Sequence, residues 1–187
     1  MARKAKLSTE IVINKALEIA QAGDFNALSY RGLARELNVQ PQTLYRYVAN
    51  IEELQIKVVL IFLDQLIAFV QNAVIGLSGQ EAILAFVKAA FDFSQDNHAF
   101  NSMLSLIGKI NKQDEILSKL MALRDIPTTI VRRNNGNEDA NKVQQHVQIL
   151  MSLIFGFIEF TDLGLYRDKA DASTTLVANA KEIIVNW

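Results

Sequence analysis

The chain has 187 residues, half of them apolar, and no cysteine, so a folded protein with a real core is expected and disulfides, thiolate nucleophiles and cysteine-based zinc sites are excluded. The net charge is −1, but residues 1–48 carry seven basic and four acidic side chains, whereas residues 49–187 carry twelve and sixteen. This uneven distribution indicates that the N-terminal part meets a polyanion. No apolar run follows the charged N-terminus, so we expect no signal peptide and a cytoplasmic protein.

Helical signals run along the whole chain, and the first helix begins near Ser8. A serine is favoured before a helix because its side chain accepts a hydrogen bond from a backbone N–H that has no partner within the helix. Gly23 supplies the stop. Between them, apolar residues recur at helical spacing, namely Ile13, Ala16, Leu17 and Ala20.

Two short helices are predicted next, over 29–37 and 41–48, joined by a tight turn at 38–40. Asn38 is expected in the left-handed conformation, which asparagine tolerates better than most residues. Pro41 suits the first position of a helix, where a backbone N–H would lack a partner anyway. These lengths are those of a helix-turn-helix, whose second helix enters the major groove of DNA.

The side chains of this segment divide into a buried and an outward set. The buried set is apolar or small: Leu33, Ala34, Leu37, Val39, Leu44 and Val48. The outward set suits hydrogen bonding to base edges and phosphates: Gln40, Gln42, Thr43, Tyr45, Arg46 and Tyr47. The alternative is a solvated helical hairpin with ordinary polar faces.

A long fourth helix is predicted from an Asn50 cap to about Ile75. Its segment 58–77 is apolar enough to raise the possibility of a membrane span. However, Lys57, Asp64 and Gln71 recur every seven residues and draw one polar stripe along the helix. Because a mid-span aspartate is costly in lipid, we expect a buried helix and no membrane association.

The stretch "ALSYRGLARELNVQPQTLYRYVANIEELQIKVV", preceded by "AQAGDF", closely resembles the N-terminal domain of TetR/AcrR-family transcriptional repressors. The similarity covers about residues 7–66 and includes the "LY-R-Y-V" core followed by "EEL". It implies a helix-turn-helix DNA-binding domain over 1–50, with the motif at 29–48, and a C-terminal ligand-binding and dimerisation domain over 51–187. It also implies a homodimer that binds a palindromic double-stranded DNA operator.

The resemblance also implies individual contacts with DNA. Tyr30 and Arg31 stand where the family's second helix meets the DNA. The recognition-helix contact positions of the family are occupied here by Gln42, Thr43, Tyr45 and Tyr47. Most members have a lysine just before "EEL" that meets a phosphate, whereas this chain has Ile51, which leaves that contact in doubt. Arg3, Lys4 and Lys6 form either a compensating basic arm or a solvated tail. The DNA-binding candidates together are Ser29, Tyr30, Arg31, Gln40, Gln42, Thr43, Tyr45, Arg46 and Tyr47.

The remaining helices are predicted from pattern alone. Ser78 and Glu81 have the spacing of a capping box, and Pro127 is expected to begin a helix because proline is favoured at that position. The clearest loop is 134–141. The helices are expected at about 78–94, 97–109, 113–124, 127–133, 139–165 and 171–186.

The last two helices carry more apolar surface than one core can cover. Residues 143–160 are apolar over more than half of the helix circumference, which indicates contact with a partner as well as with the core. As in the resembled family, these helices are expected to form a two-fold four-helix interface. The dimer candidates are Leu153, Phe157, Phe160, Ile183 and Trp187.

An effector cavity is the other expectation for the C-terminal part. Its candidate lining residues are Phe86, Phe93, Phe100, Met103, Met151 and Phe155, for which plain core packing is the alternative. His98 and His146 lie far apart without ligand-spaced partners, so neither a metal nor another cofactor is expected. The effector is expected to be a small apolar or amphipathic molecule of unknown identity.

The sequence therefore predicts a ligand-responsive transcriptional repressor that a small molecule releases from DNA. An enzyme is disfavoured because thiols and a glycine-rich phosphate loop are missing and the histidines are isolated. A helical interaction protein that has lost DNA binding is the third class, with Ile51 in its favour and the polar third helix against it.

Overall fold

The computed structural model describes residues 7–23, 25, 28–97, 99–110, 114–134, 136, 139–166, 168–185 and 187. Within these ranges the regular structure is helical, without strands, which confirms the all-α prediction. The helices are α1 (Thr9–Ala22), α2 (Tyr30–Glu36), α3 (Pro41–Leu44), α4 (Ile51–Val74), α5 (Gly79–Asp96), α6 (Phe100–Lys109), α7 (Asp114–Asn134), α8 (Ala140–Asp162) and α9 (Lys169–Ile184).

Two of the predicted helix starts are confirmed by their hydrogen bonds. The Ser8 hydroxyl oxygen accepts from the Ile11 N–H at 3.2 Å and caps the start of α1, and Gly23 is the C-cap that follows its last residue. At the start of α4, Asn50 Oδ1 accepts from the Glu53 N–H at 2.8 Å. Glu53 Oε2 accepts in turn from the Ala49 N–H at 2.6 Å. This exchange satisfies two backbone donors and fixes where α4 begins.

The expected break at Pro127 is wrong, because α7 passes through it as one helix from Asp114 to Asn134. An interior proline removes one helical hydrogen bond and costs about 3 kcal/mol in an exposed helix. Here Pro127 is buried, and so are Leu123 and Val131, one turn to either side. The three side chains form one apolar stripe, and the burial of that stripe offsets the local cost.

The chain packs as two compact units that are not continuous in sequence. The first consists of the described residues within Met1–Leu63 and Asn97–Leu117. Its centre is aromatic: the Phe62 ring lies 5.5 Å from the Phe25 ring, edge to face, and 6.5 Å from the Phe100 ring. The Ser102 hydroxyl oxygen of α6 accepts from the Phe25 N–H at 3.1 Å. Helix α6 thus belongs to the packing unit that contains α1, α2 and α3.

The second unit consists of the described residues within Asp64–Asp96 and Ser118–Trp187. Within it α5 packs against α8 and α9, and α8 packs against α9. Lys119 of α7 forms an ion pair with Asp64 of α4, and the Ser173 hydroxyl of α9 donates to Asp92 of α5 at 3.3 Å. The proposed functional division after residue 50 stays a prediction, and the first packing unit extends beyond it. Among the described helices, none combines the length and apolar character needed to cross a membrane.

Candidate nucleic-acid interface

Helix α2 is positioned by a cap at its start and by a left-handed residue after its end. The Ser29 hydroxyl oxygen accepts from the Gly32 N–H at 3.2 Å, so this candidate DNA contact also holds the helix start. After α2, Asn38 has φ 52°, and the Val39 N–H donates to the Ala34 carbonyl at 3.0 Å. A bond back over five residues beside a left-handed residue is a common helix ending. The predicted conformation of Asn38 is confirmed.

Helix α3 starts as predicted but ends earlier. Pro41 occupies its first turn, and the α-helix ends at Leu44, not at residue 48 as expected. Beyond Leu44 the chain continues in tighter turns, in which the Arg46 N–H donates to the Thr43 carbonyl at 3.3 Å and the Tyr47 N–H donates to the Leu44 carbonyl at 2.9 Å. Bonds over three residues are typical of the 3₁₀ form, which often finishes a short helix.

The division into buried and outward side chains is largely as predicted. Leu33, Ala34, Leu44 and Val48 are buried, while Leu37 and Val39 are half-buried. Of the predicted DNA-binding residues, Ser29, Arg31, Gln40, Gln42, Tyr45 and Arg46 are exposed, and Tyr30, Thr43 and Tyr47 are half-buried. The structure therefore brings these candidates together on α2, α3 and the turns beside them, with Thr43 and Tyr47 less accessible than the pattern indicated.

Tyr30 has a structural role that the sequence did not reveal. Its hydroxyl donates to the Val48 carbonyl at 3.0 Å, and its ring meets the Tyr45 ring edge to face at 4.8 Å. Burial raises the pKa of the Tyr30 hydroxyl, and the neighbouring Tyr45 and Glu53 raise it further. Because the neutral form is favoured, the hydroxyl remains a donor. Tyr30 therefore ties the start of α2 to the chain that follows α3.

The exposed charges on this surface are mainly cationic. Arg31 and Arg46 are exposed and make no ion pair within the described residues, while Arg35 lies 3.7 Å from Glu36. Ile51 begins α4 and is half-buried, and Lys57 further along lies 3.5 Å from Glu53. Two exposed guanidinium groups without an ion pair in the described residues suit phosphate and base contacts. Arg3, Lys4 and Lys6 lie outside the described residues.

The effector-cavity prediction is only partly matched by the structure. Phe86, Phe93, Phe100 and Met103 are buried core side chains, and the last two belong to the first unit. Met151 and Phe155 do line a cavity of about 360 Å³ in the second unit. It is also lined by Leu120, Leu123, Arg124 and Thr128 of α7 and by Gln144, Val147 and Gln148 of α8. The prediction missed these residues because it was limited to phenylalanine and methionine side chains.

The dimer candidates differ in how much of each side chain is available. Phe157 is only 7% exposed and its ring stacks on Tyr166 at 5.2 Å, so within one chain it is a core residue. Trp187 stacks on His146 at 4.0 Å. Leu153 and Ile183 line a shallow groove between α8 and α9, and Phe160 is 50% exposed. His98 lies outside the described residues, within which no group of acidic residues or histidines could hold a metal.

The chain is similar in sequence to a curated protein, the uncharacterized HTH-type transcriptional regulator YobS of Bacillus subtilis (strain 168). It is 24% identical over 157 residues, which are 84% of this chain and 80% of that protein. No protein-family model matches the chain.

Solved structures agree with the present one over nearly the whole chain. A tetR-family regulatory protein from Rhodococcus RHA1 matches with a TM-score of 0.74 and 15% identity, over 96% of this chain and 98% of that one. The chain has the TetR-family fold. The regulator PfmR from Thermus thermophilus matches with a TM-score of 0.67 and 18% identity, over 92% and 96% of the two chains. The transcriptional regulator FadR of Bacillus subtilis, solved in complex with stearoyl-CoA, matches with a TM-score of 0.66 and 14% identity, over 89% of this chain and 94% of that one.

Proposed function

We propose that this chain is a DNA-binding transcriptional regulator that acts as a homodimeric, ligand-responsive repressor. The observation that carries the proposal is that α2, α3 and the turn after α3 present Arg31, Gln42 and Arg46 to solvent, with neither guanidinium in an ion pair within the described residues. The TetR-family fold and the similarity to a helix-turn-helix regulator support the same function.

In this proposal α3 is the recognition helix. In a helix-turn-helix the N-terminal part of the second helix faces base edges in the major groove. Gln42 lies there, and glutamine can bond adenine through its amide. Thr43 offers a hydroxyl and a methyl group, which suit a base edge and a thymine methyl. Arg31 and Arg46 bond phosphates or guanine. Tyr30 supports the recognition helix without contacting DNA through its hydroxyl, because that hydroxyl donates to the Val48 carbonyl.

The proposed dimer forms through a stripe on α8 that lines the shallow groove beside α9 and is partly exposed. Ile149, Leu153, Gly156 and Phe160 are spaced by four, three and four residues, so they share one side of the helix. Ile149 is 44% exposed and Phe160 is 50% exposed. A Cβ at Gly156 would meet no atom within 4 Å, so a partner helix has room to approach there. The partner is a second copy, because a regulator of a palindromic operator needs two recognition helices related by two-fold symmetry.

The proposed effector release depends on α4, which is continuous from Ile51 to Val74. Its first part packs in the unit that contains α3, and its second part, from Asp64, packs in the unit that holds the cavity. A ligand in the cavity that favours one arrangement of α4 would change the spacing of the recognition helices. Moving a population from mostly bound to mostly released needs about 5.5 kcal/mol of preference for one state.

A mobility shift with the duplex that flanks the chain's own gene tests the proposal. A single retarded complex with two chains per duplex, resistant to excess unrelated DNA, is the expected result. If unrelated DNA of equal length competes as well as the flanking duplex does, the chain is not a sequence-specific regulator at that site. If no duplex from a randomised library is retained either, the helical interaction protein becomes the better explanation.

A further inference from the structure

The cavity between α7 and α8 has a polar end and an apolar end. Helices joined by a short connection run antiparallel, and α7 and α8 are joined by residues 135–139. Thr128 and Gln144 are therefore the lining residues nearest the connection, and Leu120 and Phe155 are the furthest from it. The α8 stripe from Gln144 to Phe155 spans eleven residues, or about 16 Å along the helix. Such a gradient suits a molecule with a polar head and an apolar body.

The charge on the polar part is positive. Arg124 is exposed on α7 and lines the cavity, and no acidic partner pairs with its guanidinium in the described part of the chain. None of the described lining residues is acidic. The Thr128 hydroxyl donates to the Arg124 backbone carbonyl at 2.8 Å, and Gln144 and Gln148 contribute amide groups to the same cavity from α8. A guanidinium fork binds a carboxylate through two parallel hydrogen bonds.

We propose that the cavity binds an amphipathic carboxylate, with its head on Arg124 and its apolar chain against Met151 and Phe155. The apolar chain of the ligand would also lie against Leu120 and Leu123 of α7, whose side chains carry no polar group. A helix of a second copy is not the occupant. The cavity stripe begins at Gln144 and the dimer stripe at Ile149, five residues later, so the two faces of α8 are about 140° apart.

Binding of decanoate to the full chain, measured by isothermal titration calorimetry, tests this inference. One decanoate per chain is expected. Arg124→Gln should weaken binding about tenfold or more, because a charge-assisted hydrogen bond is lost. The matched control is Arg132→Gln, an exposed arginine on the same helix that does not line the cavity, and it should leave binding unchanged. Each CH₂ added from octanoate to decanoate should tighten binding by about threefold to fourfold.

Uncharged 1-decanol separates the head group from the tail. It should bind more weakly than decanoate to the unaltered chain and equally to the unaltered chain and Arg124→Gln. No saturable decanoate binding, or equal decanoate affinity in Arg124→Gln and Arg132→Gln, would overturn the inference. The melting temperature of Arg124→Gln, measured by circular dichroism, should match that of the unaltered chain because the side chain is exposed. This control separates the loss of one contact with the ligand from a general loss of folding.

The inference rests on the proposed regulator in giving the ligand a role, and the two can fail separately. Arg124 belongs to the second unit, so Arg124→Gln should keep the affinity for duplex DNA measured without any carboxylate. If DNA binds but decanoate does not, the carboxylate site is wrong and the regulator stands. If decanoate binds as expected but no duplex does, the site stands and the proposed function is wrong.

Discussion

Replacing Tyr30 with phenylalanine removes one hydrogen bond and little else. The ring stays, so its edge-to-face contact with Tyr45 is kept and no cavity forms. What is lost is the donor at 3.0 Å from the carbonyl of Val48, a residue that is only 2% exposed. A buried acceptor left without its partner costs about 1–3 kcal/mol. We expect Tyr30→Phe to lower the free energy of unfolding by about 1–2 kcal/mol, since the site is only part-buried.

Urea unfolding at a fixed chain concentration measures this change. With m near 2 kcal/mol/M, the expected shift of the midpoint is about 0.5–1 M at unchanged m. Tyr47→Phe is the matched control, because Tyr47 lies beside the same turn and its hydroxyl makes no hydrogen bond among the described residues. It should change stability by no more than about 0.5 kcal/mol. Equal losses in the two variants would refute the assigned bond between Tyr30 and Val48.

The stability difference between the unaltered chain and Tyr30→Phe depends on pH because the pKa of Tyr30 is raised. A raised pKa means that the folded chain holds the hydroxyl proton more tightly than the unfolded chain does. The stability tied to this proton is complete below the ordinary tyrosine pKa of 10.0 and is lost as pH rises through the raised value. The stability difference between the unaltered chain and Tyr30→Phe should be constant up to about pH 10 and shrink above it. Tyr166, whose pKa is also raised by burial, is present in both chains and cancels.

Three further pairs of substitutions test other parts of the account. Asn38→Ala should destabilise the chain by about 1 kcal/mol and Asn38→Gly should not, since φ is 52° there; equal melting temperatures would contradict this. Leu153→Glu should give monomers by light scattering, while Thr129→Glu on exposed α7 should not; an unaltered chain that is monomeric at micromolar concentration would refute the dimer. Thr43→Ala should lower the binding free energy for one preferred DNA sequence by about 1–3 kcal/mol. Arg46→Ala, through the loss of a phosphate contact, should weaken binding to all sequences and flatten the salt dependence of the affinity. Unchanged affinity in both variants would remove α3 from DNA binding.

The parts of the fold that could be predicted from sequence are those fixed by local chemistry. Ser8 and Asn50 cap helices because their short polar side chains reach free N–H groups three residues on. Asn38 takes the left-handed conformation because the chain must turn between two helices. In each case the residue type and its neighbours contain the whole argument.

The predictions that failed depend on contacts distant in sequence. Pro127 continues α7 because tertiary burial of its stripe outweighs a local rule. The early end of α3 coincides with the Tyr30 hydroxyl bond to Val48, eighteen residues away. The sequence predicts Phe100 and Met103 in an effector cavity, but α6 packs with the first unit, which periodicity does not reveal. The cavity residues of α8 include positions 144, 148, 151 and 155, a helical spacing that can be seen in the sequence. Only the position of α7 shows that this stripe faces a cavity.

The central claim is that α2 and α3 bind duplex DNA sequence-specifically, and competition fluorescence anisotropy tests it most directly. The full chain is first bound to a labelled duplex selected from a randomised library. Two unlabelled competitors are then titrated in at two salt concentrations: the same sequence, and a scrambled sequence of equal composition. The account predicts that the selected duplex competes at least about a thousandfold better than the scrambled one. It also predicts that affinity for both falls with rising salt, since cations meet phosphates. Equal competition by the two sequences, or no displacement by either, would contradict the account.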